Sequence, residues 1–459
     1  MHSVSDIMES KGIVVIGASR DPFKPGAMLI EVLKSSIFEG NVAGINPQGG
    51  EIHGIPLYLK LEDVPFCIDL AVLLIPPKAV PQALIDCSRK DVKGVVIASE
   101  GFAEAGPQGR QYQEEVRTIL QSSKMRGFGP NTLGVINTAT GLTTSYFATE
   151  QMLKPGSIGF AAQSGVFVGG LLMHISSIGL HISKGVGLGN KVDVDESDVL
   201  PYFMEDEQTR TVGLYLEDIR DGRRFLETAR NTVKHKPVLM LKGGRSFEGA
   251  HAMASHTASL AVDDAILIGA LRQAGVLLMG GTEEFVGTLM GFDWMPLPKG
   301  NRIALVTYSG AQAVMCVDKA IEAGLQMASF TEETHKKLSK VIATPYKRQN
   351  PIDIYPDMTA HGFEATCLEI LRALMDDDGV HGVIVISFAT LGAAPFLPLV
   401  EVIQKRRTKP VFFSVFGPKE DVNACQDLLA EHRIPFVYYP ELAAQAFAHM
   451  WRYTKIVKK

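Results

Sequence analysis

His256 stands in the run Ser255-His256-Thr257-Ala258-Ser259-Leu260, downstream of the apolar stretch PVLMLK and of Gly243-Gly244-Arg245. An apolar-periodic pattern from about Thr257 to Ala274 predicts a helix, with Ser255 or Thr257 as its N-cap. Unpaired N–H groups and the positive dipole end at such a helix start would stabilise a phosphoryl group on the imidazole. Glu217 closes the apolar run TVGLYLE and points from the same predicted sheet edge. A carboxylate that accepts a hydrogen bond from one ring nitrogen fixes the tautomer and leaves the other nitrogen free to attack phosphorus. Asp218 could serve instead, and a surface ion pair would also account for Glu217.

A second group of residues suits phosphate. The run GIVVI enters Gly17-Ala18-Ser19-Arg20, then Lys24-Pro25-Gly26 and a helical pattern. A glycine turn at a helix start presents backbone N–H groups to an anion. The turn is not the GxGxxG of a nicotinamide site, and the next strand ends in Asn46-Pro47, not in an acid for a ribose hydroxyl. Arg20 and Lys24 add positive charge, which favours a more phosphorylated ligand; coenzyme A carries three phosphates. Three further turns follow in order: Ile75-Pro76-Pro77, Ser99-Glu100-Gly101-Phe102 and Gly129-Pro130-Asn131. Turns of this kind line the ligand crevice of an open α/β sheet. Gln163-Ser164-Gly165 and Ser309-Gly310-Ala311 open later helices and offer anion sites of the same kind.

These residues need strand ends and helix starts to hold them. Continuous apolar runs such as GIVVIG, NVAGIN, DLAVLLIP and GVVIAS alternate with helical patterns, which predicts doubly wound parallel sheets. The pattern restarts at GSIGFAAQSG and again at NRIALVTYSG, so boundaries are expected near 130–155 and 295–300, the latter at the Pro- and Gly-rich DWMPLPKGNR. A length of 459 residues agrees with roughly three domains at about 150 residues each. The net charge of −5 argues against nucleic acid or an anionic membrane as main partner. The five cysteines include no CxxC pair, so neither a disulfide framework nor a thiolate metal site is expected. The acidic N-terminus is unlike a signal peptide, and Pro395 and Pro398 break the longest uncharged stretch, 382–400. A cytoplasmic protein with no membrane span is expected.

IGAS, INP, DLAVLLIP, SEGFAE and GPNTLG, in that order, closely resemble the CoA-binding domain of NDP-forming acyl-CoA synthetases, which are relatives of succinyl-CoA synthetase. AAQSG, GLGNKVDVDE, LYLE, LKGGR and ASHTASLA extend the resemblance over essentially the whole chain. It implies a Rossmann-like CoA-binding domain at 1–135 and two flavodoxin-like, succinyl-CoA-synthetase-like domains at 136–296 and 297–459. It also implies transient phosphorylation of His256, an orienting role for Glu217, and the reaction acyl-CoA + phosphate + ADP ⇌ carboxylate + CoA + ATP. The chain has no P-loop and no segment left over for an ATP-grasp module. The resemblance therefore implies a separate ATP-grasp β subunit carrying ATP or ADP and Mg²⁺, in a hetero-oligomer. Ala258 and Val262 stand where the family usually has glycine, and YSGAQA departs from its usual third-domain turn. These departures motivate a second expectation, a non-catalytic CoA or acyl-CoA sensor. The substrate is a small carboxylate or acyl-CoA: acetate, a branched or aromatic acid, or a dicarboxylate.

Overall fold

Apolar runs buried on both faces become the central strands of three sheets in a computed structural model. It describes residues 2–246, 248–249, 251, 264–355, 357–358, 362–389 and 392–458. His256, its neighbours Ser255 and Thr257, and the departures Ala258 and Val262 lie outside the described residues.

The first sheet has seven strands in the order Gly50–Ile52, Ile55–Tyr58, Asn41–Ile45, Gly12–Ile16, Leu70–Leu73, Gly94–Ile97 and Arg126–Phe128. Its pairings are parallel except the one between its first two strands. LAVL and GVVI are buried at every residue, as strands covered by helices on both faces require. Gly12–Ile16 lies between the strands that follow it in sequence, so the order reverses at its C-terminal end, where open sheets form their crevice.

The second sheet repeats that device. Its order is Leu277–Leu278, Val238–Lys242, Thr211–Leu216, Ile158–Ala162, Ile182–Gly187, Val135–Asn137 and Leu142–Thr143. Here Ile158–Ala162 is the switch strand, flanked by Ile182–Gly187 and Thr211–Leu216. The third sheet is wholly parallel: Gln326–Met327, Arg302–Thr307, Gly382–Phe388, Val411–Phe416 and Phe436–Val437, with Ile352–Asp353 also on Arg302–Thr307.

The chain divides into two compact units, Met1–Leu278 and Met279–Lys459, so the first two sheets share one unit. The division precedes the helix Thr282–Trp294, upstream of the Pro- and Gly-rich run. That helix is fixed to the C-terminal helix Pro440–Val457 by a buried contact, His449 Nε2 to Glu284 Oε1 at 2.6 Å.

The uncharged stretch 382–400 supplies the strand Gly382–Phe388 and the start of the helix Leu397–Lys405. Among the described residues no helix is long and apolar enough to cross a membrane. All five cysteines are free thiols. Cys87, Cys316, Cys367 and Cys425 are buried, and Cys67 is exposed.

Candidate active site at two sheet edges

Both edges belong to the first unit. At the first, Gly17 has φ +99°, and a Cβ there would lie 2.3 Å from the Leu74 carbonyl oxygen, so no side chain fits. A Cβ on Gly26 would lie 2.2 Å from the Gly17 carbonyl oxygen. The helix Pro25–Ser35 therefore starts directly against the turn. Asn46 shapes the turn from the next strand: its Nδ2 donates to the Ala18 carbonyl at 2.8 Å and its Oδ1 accepts from Gln48 N–H at 2.8 Å. Ser19 Oγ accepts from Asp21 N–H, Arg20 donates to Gln48 Oε1 and to the Gly49 carbonyl, and Lys24 and Pro47 are exposed.

The turn Ser99–Phe102 departs from a simple anion loop. Gly101 and Phe102 N–H both donate to Glu104 Oε1, at 2.8 and 3.0 Å, and the Phe102 ring is wholly buried in the core. Glu104 Oε2 accepts from Asn190 Nδ2 at 2.6 Å, and Asn190 also donates to Gln113 Oε1 at 3.0 Å. Burial disfavours the Glu104 carboxylate, but Asn190 and the backbone donors outweigh it and hold its pKa below the usual range. Ser99 Oγ donates to the Leu73 carbonyl, and its own carbonyl accepts from Asn131 N–H at 3.0 Å. Pro76 and Pro77 open a short 3₁₀ turn, and Pro130 precedes Asn131, whose φ is +58°.

At the second edge, Ser164 caps and Gly165 begins the helix Gly165–Ser177. Gln163 Oε1 accepts from the N–H groups of Glu217 and Asp218, at 2.6 and 2.9 Å, and its Nε2 donates to Asp218 Oδ1 at 2.5 Å. Lys191 Nζ meets Glu196 Oε2 at 3.0 Å, Asp218 Oδ1 at 2.5 Å and the Asp218 carbonyl at 2.9 Å. The Lys191 and Glu196 side chains are 0% and 1% exposed. Burial opposes the Asp218 carboxylate, yet Lys191 and Gln163 hold its pKa low, while burial pushes Glu196 up. Asp218 is thus committed to this network. Glu217 Oε1 accepts from Tyr215 O–H at 3.3 Å, and the Glu217 carbonyl accepts from Lys242 Nζ at 2.6 Å. Burial raises the Tyr215 pKa to about 12 and lowers that of Lys242. Arg245 pairs with Asp264 through two hydrogen bonds of 2.8 Å, joining positions on either side of His256 in sequence.

One cleft of about 850 Å³ joins the edges. Pro77, Glu100, Gly101 and Asn131 line it from the first, and Gln163, Ser164, Gly165 and Glu217 from the second. Gly17 to Arg20, Lys24, Gly26, Asn46 and Pro47 are not among its lining residues. Ser309, Gly310 and Ala311 lie in the other unit, where Ser309 caps the helix Gly310–Glu322 and its N–H donates to Thr307 Oγ1 at 3.0 Å. Among the described residues, no group of three or more His, Cys, Asp or Glu could hold a metal. Glu104, Asn190, Lys191 and Glu196 escaped the sequence reading as site residues, although SEGFAE and GLGNKVDVDE contain them.

A CoA binding domain matches residues 11–138, and a succinyl-CoA ligase-like flavodoxin domain matches residues 155–292. The chain is 36% identical, over 98% of its length, to the ADP-forming acetate–CoA ligase II of Archaeoglobus fulgidus, of which it covers 67%. It is 32% identical to the α subunit of the ADP-forming acetate–CoA ligase II of Pyrococcus furiosus, covering 95% of each. The chain belongs to the NDP-forming acyl-CoA synthetase family. A solved family structure, acetyl-coenzyme A synthetase 1 of Ca. Korarchaeum cryptofilum with phosphate and ADP, superposes with a TM-score of 0.92 at 29% identity, over 100% of this chain and 98% of that one. The chain spans 63% of the length of the A. fulgidus ADP-forming acetate–CoA ligase I. The glycine cradle at Gly17 and Gly26, with exposed Arg20 and Lys24 beside it, fits the phosphates of CoA.

Proposed function

We propose that this chain is the catalytic α component of an ADP-forming acyl-CoA synthetase. The cleft carries the reading, because it joins the CoA-type turns to Gln163–Gly165 and Glu217. Gly17–Arg20, Lys24, Gly26, Asn46, Pro47 and the turns at Pro76-Pro77, Ser99–Gly101 and Pro130-Asn131 would hold CoA; Phe102, buried in the core with its N–H on Glu104, would only anchor its turn. The helix start at Gln163, Ser164 and Gly165 would hold phosphate, with Ser309–Ala311 as a second such turn. Phosphate oxygen attacks the thioester carbonyl, the C–S bond breaks, and CoA leaves as thiolate to take up a proton. His256 accepts the phosphoryl group from the acyl phosphate, releasing the carboxylate, and passes it to ADP. Glu217 orients His256 at one ring nitrogen. Preorganised N–H donors stabilise the charge that develops at each displacement.

Two relatives are named α subunits, which supports a β partner; its ATP-grasp fold, its nucleotide and Mg²⁺ belong to this proposal. So do the domain limits 1–135, 136–296 and 297–459. Ligases as relatives at 32–36% identity favour catalysis over a CoA sensor. Other relatives are named 4-hydroxybutyrate–CoA ligase and trans-feruloyl-CoA synthase, so family membership leaves the acyl group open. Incubation of the chain and its partner with γ-labelled ATP and Mg²⁺ should label His256. Undiminished labelling of His256→Ala would refute the phosphocarrier assignment.

A further inference from the structure

The cleft has a side that the phosphoryl chemistry does not use. Leu133, Tyr146, Phe147 and Val166 line it as well. The Tyr146 and Phe147 ring centroids are 4.5 Å apart, Phe147 is 43% exposed and Val166 87% exposed. Isolated apolar side chains at a surface need no explanation, but an aromatic pair and a valine lining one cleft give it an apolar wall. Val166 follows Gly165, so this wall begins beside the turn assigned to phosphate. The lining contains Glu100, Glu104 and Glu217 and, among the described residues, no Lys, Arg or His.

We propose that Tyr146, Phe147 and Val166 are specificity-determining residues that recognise the acyl group. The inference rests on the function proposed above. If phosphate attacks the thioester at Gln163–Gly165, the remainder of the acyl chain must continue along the cleft, and the apolar wall receives it. That wall selects an uncharged apolar acyl group, with an aryl group favoured over acetyl. A phenyl ring stacks on Phe147 and covers area that a methyl group leaves wet. A dicarboxylic acid is rejected, because its second carboxylate would lie against the apolar wall, with no Lys, Arg or His among the described lining residues to pair it.

The test uses the full chain with its β partner and compares kcat/KM for 3-phenylpropionate, acetate and succinate. The wild type should prefer 3-phenylpropionate to succinate by about a hundredfold or more. Phe147→Ala should lower the aryl-to-acetate ratio about tenfold, a fold-change expected of one lost apolar contact surface. Val166→Trp, at an exposed position that folding tolerates, should shift the same ratio at least about fivefold by reshaping the wall. The Kd of free CoA, which has no acyl group, reports whether a variant damages the cleft as a whole. Wild-type ratios in both variants, or succinate used as well as 3-phenylpropionate, would overturn the acyl wall. A wild-type pair that binds CoA but activates no acid would instead overturn the proposed function, and the inference with it.

Discussion

The second and third sheets each end their switch strand in the same turn-to-helix step, Gln163-Ser164-Gly165 in one and Ser309-Gly310-Ala311 in the other. Their surroundings are opposite in chemistry. Behind Gln163 lies a fully buried lysine with two carboxylates, and every polar atom of the Gln163 amide is engaged. Beside Ser309 stand aromatic rings: Tyr308 and Phe388 meet edge to face at 5.3 Å, and a cavity of about 480 Å³ is lined by Tyr308, Tyr355, Phe363, Phe388 and Phe396. Doubly wound topology supplies the edge in both cases. Side chains from neighbouring strand ends decide whether that edge holds a fixed electrostatic field or an apolar surface.

The largest expected effect is at Lys191. Lys191→Met leaves the buried Glu196 without its cation and removes the nearer cation of the half-buried Asp218, which keeps Arg220 at 3.8 Å, and should cost about 3–5 kcal/mol in urea unfolding of the first unit. A loss below about 1 kcal/mol would show the network to be ornamental and the two edges less different than they look. Gln163→Ala removes the acceptor for two N–H groups and the donor to Asp218, and should cost about 1–3 kcal/mol. It should also slow phosphorylation of His256 about a hundredfold through misplacement of Glu217, measured by rapid quench. Unchanged labelling would separate the amide from the chemistry.

Acid should act on the polar edge. Asp218 and Glu104 have pKa values lowered in the folded chain. A carboxyl so depressed contributes stability above its unfolded pKa, about 4, and that stability disappears as pH falls through the folded value. The Tm of the first unit should therefore drop on going below about pH 4, and Asp218→Asn should flatten that limb. An acid limb identical in the variant would count against the network. The smallest effect is expected at the other edge. Ser309 makes no side-chain cap hydrogen bond, so Ser309→Ala should change stability by less than about 0.5 kcal/mol.

Local pattern was enough for the parallel strands, because a strand covered on both faces must be apolar throughout, as LAVL and GVVI are. It was also enough for the turns at Gly17 and Gln163, where a strand end, a small residue and a helix start fall within a few positions. The partners of those turns were not legible. Nothing near Gly101 and Phe102 shows that Glu104 takes both amides, or that Asn190, 86 positions away, holds Glu104 in place. Asp218 and Glu217 looked interchangeable until Lys191, 27 positions upstream, claimed the first.

By itself, then, the amino-acid sequence determined three α/β segments, the glycine cradle and the types of residue at each strand end. Tertiary structure decided which of those residues are already paired, and that the helix Thr282–Trp294 packs on the helix Pro440–Val457 through His449. The physical reason is one of range. Burial pattern and turn geometry act between neighbours in sequence, whereas a buried charge or N–H group must find its partner wherever the fold brings one.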